Sequence, residues 1–318
     1  KLKRDNNLDY SPEQIVVSTG AKQSIMNVVL SIVNPEEEVI LPSPYWVSYL
    51  EMVKMAEGTP VAVSASIEND FKITPDQLEA AITDKTKLII FSSPCNPSGS
   101  VYSGDELQAL AEVIIKHNDL YVIADEIYEH IIFEGKHTSL ASFDMIKDRV
   151  ITVNGVSKGF AMTGWRIGYI AAPDWIVKAC IKIQGQFTSG ASSISQKAAE
   201  AAMKMEPGST DEMRDIFLTR RNLLLELLKE IPGLTTNVPE GAFYVFPNIV
   251  SYIGKSDGDK TISNASDLCM YLLNEANVAL VTGEAFGEPE YMRISYACSE
   301  EVIRESVNRI ATALAKLN

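Results

Sequence analysis

Val150-Ile151-Thr152-Val153-Asn154-Gly155-Val156-Ser157-Lys158-Gly159-Phe160 passes from an apolar, β-branched run into a turn of small and polar residues that carries one lysine. The first four residues have strand composition, and the stretch from Asn154 to Gly159 is too small and polar to continue it. Similar runs lie on either side, at Ile15 to Thr19, Glu38 to Leu41, Pro60 to Ser64, Lys87 to Ser92, Tyr121 to Asp125 and Arg166 to Ala171. Amphipathic stretches lie between many of them, at Ala21 to Val33, Ser48 to Glu57, Thr74 to Ala81, Ser103 to His117 and Ile194 to Lys204. Strand and helix in alternation predict an α/β protein with a largely parallel sheet of seven strands wrapped by helices.

Local signals support the helix assignments. Thr74-Pro75-Asp76 places a cap residue and a first-turn proline before one helix, and Ser103-Gly104-Asp105-Glu106 resembles a capping box. After Met205 the texture changes through Glu206-Pro207-Gly208-Ser209 into a long helical pattern from Asp211 to Glu230, stopped by Ile231-Pro232-Gly233. We therefore expect a large part over 1–209, a linking helix over 210–231 and a smaller α+β part over 232–318. In the smaller part, strands are expected at Thr235 to Val238, Ala242 to Phe246, Val278 to Val281 and Tyr291 to Ser295. Helices are expected there at Ser266 to Ala276 and Glu300 to Lys316, with the polar patch Gly254 to Lys260 as a loop.

Composition narrows the classes of function. With 46% hydrophobic and 22% charged residues, the 318-residue chain has an ordinary globular make-up, against disorder, collagen and disulfide scaffolds. Forty-two acidic against 28 basic residues give a formal charge of -14, a poor match for nucleic acid or anionic membranes. No run of eighteen apolar residues occurs and no apolar stretch comes after the charges of Lys1 to Asp5, so neither a membrane span nor a secretory leader is expected, and a cytoplasmic location is. Cys95, Cys180, Cys269 and Cys298 form no CxxC pair and are expected as reduced, mostly buried thiols; His117, His130 and His137 form no metal-ligand spacing, and no metal is expected.

In an open parallel sheet, ligands bind beyond the carboxyl ends of the strands, and four such ends carry distinctive residues. Ser18-Thr19-Gly20-Ala21-Lys22-Gln23 is a small-residue turn opening a helix; it is neither a Walker loop nor GxGxxG, and it reads either as a phosphate-binding helix start or as a tight strand–helix turn. Ser92-Ser93-Pro94-Cys95-Asn96-Pro97-Ser98-Gly99 presents Asn96 on a rigid turn that turn chemistry alone also explains. Asp125 comes after the apolar Tyr121-Val122-Ile123 and is either a helix cap or a buried carboxylate in need of a cation, donors or a proton. Lys158 either snorkels to solvent or, in a dry cleft, has a depressed pKa and forms a Schiff base as a neutral amine. Arg166 is eight residues beyond it, and an arginine there can take a phosphate bidentately. A lysine, a carboxylate, a phenol, an amide and two phosphate-binding features together make the parts list for pyridoxal phosphate.

The stretch Gly155-Val156-Ser157-Lys158-Gly159-Phe160-Ala161-Met162-Thr163-Gly164-Trp165-Arg166-Ile167-Gly168 resembles the cofactor-attachment signature of class I pyridoxal-phosphate aminotransferases. Flanking it in the family's order are Ser43-Pro44-Tyr45-Trp46, Asn96-Pro97-Ser98-Gly99, Asp125-Glu126-Ile127-Tyr128, Gly241-Ala242-Phe243-Tyr244 and Tyr291-Met292-Arg293-Ile294-Ser295-Tyr296. The resemblance covers essentially the whole chain and is strongest to the bacterial aspartate aminotransferases of subgroup Ib. It implies fold-type I: a seven-stranded, mostly parallel sheet in a three-layer large domain, with a smaller α+β C-terminal domain.

Carried over residue by residue, the resemblance implies that Lys158 holds the cofactor and, once released, shuttles the substrate α-proton. Asp125 pairs with the pyridinium nitrogen, which keeps the electron sink effective. Tyr128 and Asn96 hydrogen-bond the ring oxygen O3', and Trp46 stacks on the ring. Gly20, Ala21 and Lys22 surround the phosphate together with Ser157 and Arg166. Arg293 takes the substrate α-carboxylate in a fork, assisted by Asn96, and Lys22 meets a distal carboxylate. Where many members carry Ser or Thr three residues before the lysine, this chain has Gly155, so that phosphate contact is not carried over.

Family members also carry a long segment before the position of Lys1, and the chain reads as truncated there. The implied activity is transfer of the amino group of aspartate or glutamate to 2-oxoglutarate or oxaloacetate in a ping-pong cycle of amino-acid metabolism, by a homodimer. Prephenate, aromatic or broad-range aminotransferases are the alternatives within the family. A non-catalytic ligand-sensing domain is the alternative outside it, although no basic DNA-binding module is present.

Overall fold

The computed structural model describes all residues, 1–318. The sheet has seven strands: β1 (Ile15–Ser18), β2 (Glu38–Ser43), β3 (Thr59–Ser64), β4 (Thr86–Ser92), β5 (Tyr121–Asp125), β6 (Val150–Gly155) and β7 (Gly168–Ala171). Their order across the sheet is β1-β7-β6-β5-β4-β2-β3. Pairing is parallel except for β7, which runs antiparallel to both β1 and β6. All seven expected strands form; β6 runs on through Asn154 and Gly155, contrary to expectation, because both pair with Tyr169 and Gly168 of β7, and the last strand starts later than expected. Arg166 takes a left-handed conformation (φ 53°) and ends the turn before β7, so the strand begins at Gly168.

Both faces of the sheet are covered, as a mostly parallel sheet requires. Alternate residues feed opposite layers: Val39, Leu41, Leu88, Ile90, Ile151 and Val153 pack with the helices Ala21–Ile32, Ser48–Met55 and Asp174–Phe187. Ile40, Ile89, Phe91, Val122 and Ala124 pack on the other face with Pro75–Ala81 and Gly104–Ile114. Each of these Val, Leu, Ile and Phe side chains contributes about 1.5–3 kcal/mol when fully buried. The helix Asp174–Phe187 was not expected from the sequence: it buries only Ile176, Val177, Cys180 and Gln184, and leaves Trp175, Ile181 and Phe187 exposed. The capping boxes at Thr74 and Ser103 form, with each side-chain oxygen accepting from the backbone N–H three residues on.

A third core gathers around the long helix Asp211–Lys229, the helices Ala265–Ala276 and Glu300–Leu314, and a three-stranded sheet of Tyr244–Val245, Val281–Thr282 and Met292–Ser295. Three sequence expectations differ here. The strand expected over Val278 to Val281 forms only at Val281–Thr282, because Asn277 closes the preceding helix in a left-handed conformation (φ 53°) and the Val278 N–H is bonded back to the Leu272 carbonyl. Thr235 to Val238 forms only an isolated bridge, Thr235 to Asn248. Gly254 to Lys260 is not a plain loop: Ser256–Asp257 pairs with Lys260–Thr261 as a short ribbon turned at Gly258 (φ 64°). No helix is long and apolar enough to cross a membrane. Cys95, Cys180 and Cys269 are buried free thiols and Cys298 is half-buried.

Candidate active site

Parallel strands that end together place the residues after them side by side. Ser92 at the end of β4 is in register with Asp125 at the end of β5, and Asp125 with Val153 of β6, two residues before the turn to Lys158. A cavity of about 380 Å³ opens at this edge. Asn96, Asp125, Tyr128, Ser157 and Lys158 line it from the strand ends, and Ala21, Lys22, Trp46 and Arg166 from the surrounding turns and helix starts. Arg293, 135 residues beyond Lys158, enters from the three-stranded sheet. All of these but Arg293 stem from strand ends and helix starts of the large sheet.

Asp125 is 4% exposed. Its Oδ2 accepts from Tyr49 Oη at 2.7 Å and its Oδ1 from the Ile127 N–H at 3.2 Å. Burial nevertheless pushes its carboxyl up to about 6, against the opposing pull of those donors. The Lys158 amine lies 5.7 Å from the Tyr128 ring centroid and 5.6 Å from that of Phe243. Burial depresses its pKa, with Arg293 and Arg166 acting in the same direction and Asp125 against it. Such an amine is easier to obtain neutral, the form needed for covalent attachment to an aldehyde.

At the phosphate end, Gly20 (φ 88°) precedes the helix Ala21–Ile32. A Cβ there would lie 2.4 Å from Arg166 Nη2, so the guanidinium packs directly on the glycine. Arg166 Nη1 donates to the Thr163 carbonyl at 2.8 Å, which fixes the fork beside the helix N-terminus. Gly168 permits the same close approach, since its Cβ would meet the Ala21 backbone N at 2.1 Å. Gly155 has its own reason to lack a side chain: a Cβ would fall 2.7 Å from the Ile167 carbonyl oxygen.

Arg293 Nη1 donates to Asn96 Oδ1 at 2.9 Å, and its guanidinium carbon lies 4.6 Å from the Tyr244 ring and 4.9 Å from that of Phe286. Its Nε is buried without a partner. A donor left unpaired in a buried site is costly unless a ligand oxygen supplies the acceptor. Lys22 is exposed, with its ammonium 4.9 Å from the Trp46 ring.

A pyridoxal phosphate fits this donor set: a glycine cradle with Arg166 at a helix start, a buried carboxylate, a half-buried amine and an arginine with an open donor. Tyr49 and Tyr244 are site residues that the sequence does not single out. Tyr49 looks like an ordinary apolar position of an amphipathic helix, and Tyr244 like a strand residue. Neither has a local signal, because each acquires its partner, Asp125 or Tyr128, only through the fold. The histidines also differ from expectation. The fold brings His137 together with Glu126 and Glu129, but the charges are paired within the cluster: His137 Nε2 lies 3.0 Å from Glu126 Oε2, and the Lys1 ammonium contacts Glu129.

The family model described as "Aminotransferase class I and II" matches residues 1–310. The chain is 50% identical over 322 residues to the bifunctional aspartate aminotransferase and glutamate/aspartate-prephenate aminotransferase of Petunia hybrida, covering 100% of this chain and 67% of that protein. It is 46% identical to the aspartate/prephenate aminotransferase of Cereibacter sphaeroides, covering 100% of this chain and 80% of that one. The crystal structure of the aspartate aminotransferase of Rhizobium meliloti superposes with a TM-score of 0.96 at 42% identity, over 100% of this chain and 80% of that chain. The chain thus spans two thirds to four fifths of the length of these relatives.

Proposed function

We propose that this chain, which belongs to the class I and II aminotransferase family, transfers the amino group of aspartate or glutamate to a 2-oxo acid, 2-oxoglutarate or oxaloacetate, with pyridoxal phosphate. The observation that carries the reading is the convergence of Lys158, Asp125, Tyr128, Arg166 and Arg293 on one cavity. Bound there, the cofactor supplies an electron sink for the carbanion left when the substrate α-proton is removed.

The chain's own residues divide the remaining work. Gly20, Ala21, Ser157 and Arg166 would hold the phosphate, with the helix N-terminus adding its dipole, and Lys22 in the first turn of that helix would meet either the phosphate or the substrate's distal carboxylate. Asp125 would pair with the pyridinium nitrogen and favour its protonated form. Tyr128 and Asn96 would hydrogen-bond the ring oxygen, and Trp46 would stack on the ring. Arg293 orients the substrate through its α-carboxylate, a bidentate geometry that suits guanidinium better than ammonium. Lys158 Nζ would hold the cofactor covalently and, when free, would serve as the base that moves the substrate α-proton.

Two further parts of the reading rest on the same footing. The chain divides into a cofactor-binding part over 1–209, a linking helix over 210–231 and a smaller part over 232–318, supported by the separate core around Asp211–Lys229. It works as a homodimer, supported by the apolar Ile181, Phe187 and Ile194, which are 55%, 71% and 76% exposed.

The names of the Petunia and Cereibacter relatives favour a second reading, in which prephenate also serves as an acceptor. A spectral titration tests both. The protein is loaded with pyridoxal phosphate and aspartate, glutamate, phenylalanine and prephenate are added separately. Loss of the yellow band with aspartate and glutamate, and its return from the aminated form with prephenate, supports the dual reading. Return with 2-oxoglutarate alone supports the dicarboxylic one. Loss with no amino acid sinks the aminotransferase assignment.

A further inference from the structure

We propose that Tyr244 is a positioning residue that couples the carboxylate-binding Arg293 to Tyr128 and, through the Tyr128 hydroxyl, sets the protonation of the Lys158-bound cofactor. The inference rests on the proposed function, in which Tyr128 faces the ring oxygen and Arg293 the α-carboxylate.

Tyr244 is 6% exposed and lines the cavity. Its hydroxyl oxygen lies 2.9 Å from that of Tyr128, and the two rings meet edge to face with centroids 6.0 Å apart. Its strand is paired with the one that carries Arg293, in the register Ser295 to Tyr244. The Arg293 guanidinium is held between the rings of Tyr244 and Phe286, at 4.6 and 4.9 Å. One side chain therefore touches the arginine with its face and the tyrosine with its hydroxyl. Tyr128 lies just after β5 of the large sheet, whereas Tyr244 and Arg293 belong to the three-stranded sheet, so the contact also spans the two sheets.

Proton counting gives the contact a direction. Each phenol has one proton and can also accept. When Tyr128 donates to an anionic ring oxygen it has no proton left for Tyr244, so Tyr244 must donate to Tyr128. A donor that itself accepts a hydrogen bond is polarised and donates more strongly. A cation on the Tyr244 face strengthens that chain further, because it favours electron withdrawal from the phenol. The anionic, unprotonated form of the lysine-bound chromophore is then the stabilised one. The hydroxyl and the ring of Tyr244 thus serve separable ends, the first acting on cofactor protonation and the second on the seat of Arg293.

The test uses the cofactor-loaded protein and its Y244F, Y244L and Y128F variants, with maleate as an unreactive dicarboxylate probe. The readouts are the pH midpoint at which the yellow band titrates and the maleate dissociation constant. Loss of one neutral hydrogen bond corresponds to about half to one pH unit, so Y244F is expected to raise the midpoint by that amount while maleate binding stays within about twofold of wild type. Y244L gives a similar midpoint shift and also weakens maleate by about three- to tenfold, through loss of the cation–π contact. In a Y128F background, Y244F adds no further midpoint shift. An unchanged midpoint in Y244F, or a full additional shift in the double variant, overturns the inference while leaving the aminotransferase reading intact. If the wild-type protein forms no lysine-bound band, the reading of Lys158 and Tyr128 fails first, and this inference with it.

Discussion

Tyr49 donates its hydroxyl to Asp125 Oδ2 at 2.7 Å inside a core where Tyr49 is 1% exposed. The contact joins the helix Ser48–Met55 to the end of β5 and gives a buried carboxylate one of its two donors, the Ile127 N–H being the other. A hydrogen bond to a charged group is worth about 1.5–3 kcal/mol. Tyr49→Phe is therefore expected to raise the Asp125 pKa further and weaken its hold on a pyridinium nitrogen. The expected loss is about tenfold or more in kcat/KM for aspartate, together with a lower melting temperature of the cofactor-free protein at neutral pH, since a buried carboxylate loses one of its two donors. A stopped assay beside a thermal melt checks this; wild-type kcat/KM in the variant would remove Tyr49 from the account.

Asp125 also predicts a pH effect on stability without cofactor. Its carboxyl stands at about 6 in the folded protein, above the ordinary value of 3.8, because burial disfavours the charge. The folded state then holds a proton that the unfolded state has already released, so stability falls as pH rises from about 4 through 6 and stays reduced above that. A shift of this size corresponds to about 3 kcal/mol at most. Asp125→Asn is accordingly expected to stabilise the cofactor-free protein at pH 8, to do so much less at pH 4, and to abolish transamination. Denaturant melts of both proteins at the two pH values decide it. A stabilisation equal at both pH values would mean that the carboxylate is not the source.

A third expectation concerns the phosphate cradle. Gly20→Ala adds a methyl group 2.4 Å from Arg166 Nη2 at a backbone φ of 88°, so the arginine must leave its seat beside the helix start. The variant is expected to bind pyridoxal phosphate at least tenfold more weakly, measured by fluorescence titration, since a charge-assisted contact to phosphate is lost. Gly104→Ala is the comparison: the nearest atom to its Cβ is Thr138 Oγ1 at 3.7 Å, an ordinary contact far from the cavity, and cofactor affinity should not change. Equal affinities in both variants would show that Arg166 does not hold the phosphate.

How much the chain discloses before folding depends on where each signal is stored. Most of the seven strands are legible because buried strands read as short apolar runs, whereas the edge strand β3 shows instead an alternation of half-buried and exposed positions over Val61 to Ser64, and Lys158, Asp125, Asn96 and Gly20 are legible because each lies at or near the end of a strand. Arg293 became visible only through resemblance, since a single arginine in Tyr291-Met292-Arg293-Ile294 has no local mark of function. Tyr49 is not legible at all, and Tyr244 enters only as the last residue of the Gly241-Ala242-Phe243-Tyr244 motif, with no role attached: a tyrosine at an apolar position packs whether or not its hydroxyl has a task, and the partners lie 76 and 116 residues away. The ribbon at Ser256–Asp257 and Lys260–Thr261 was missed for a related reason, as two-residue strands carry too few residues for an alternation to appear.

Lys22 lines the cavity together with Arg293. Its ammonium is exposed, 4.9 Å from the ring of Trp46, which lines the same cavity as Arg293. Two cationic side chains at one cavity suit a substrate with two carboxylates, Arg293 for the α-carboxylate and Lys22 for the distal one. The indole face holds the ammonium in place at a worth of about 0.5–1 kcal/mol for an exposed pair, so the lysine is aimed rather than free in solvent. The competing role for Lys22 is at the phosphate, because it sits in the first turn of the helix that begins after Gly20. The two roles differ in what Lys22→Ala disturbs. As the distal-carboxylate ligand, its loss lowers kcat/KM for aspartate and glutamate about tenfold, leaves phenylalanine nearly unaffected and leaves cofactor affinity unchanged. As a phosphate ligand, its loss weakens cofactor binding and lowers turnover of all three amino acids alike. Trp46→Leu should reproduce part of the first pattern, since it removes the face on which the ammonium rests. Uniform loss across the three amino acids at saturating cofactor would move Lys22 from substrate choice to general support of the site.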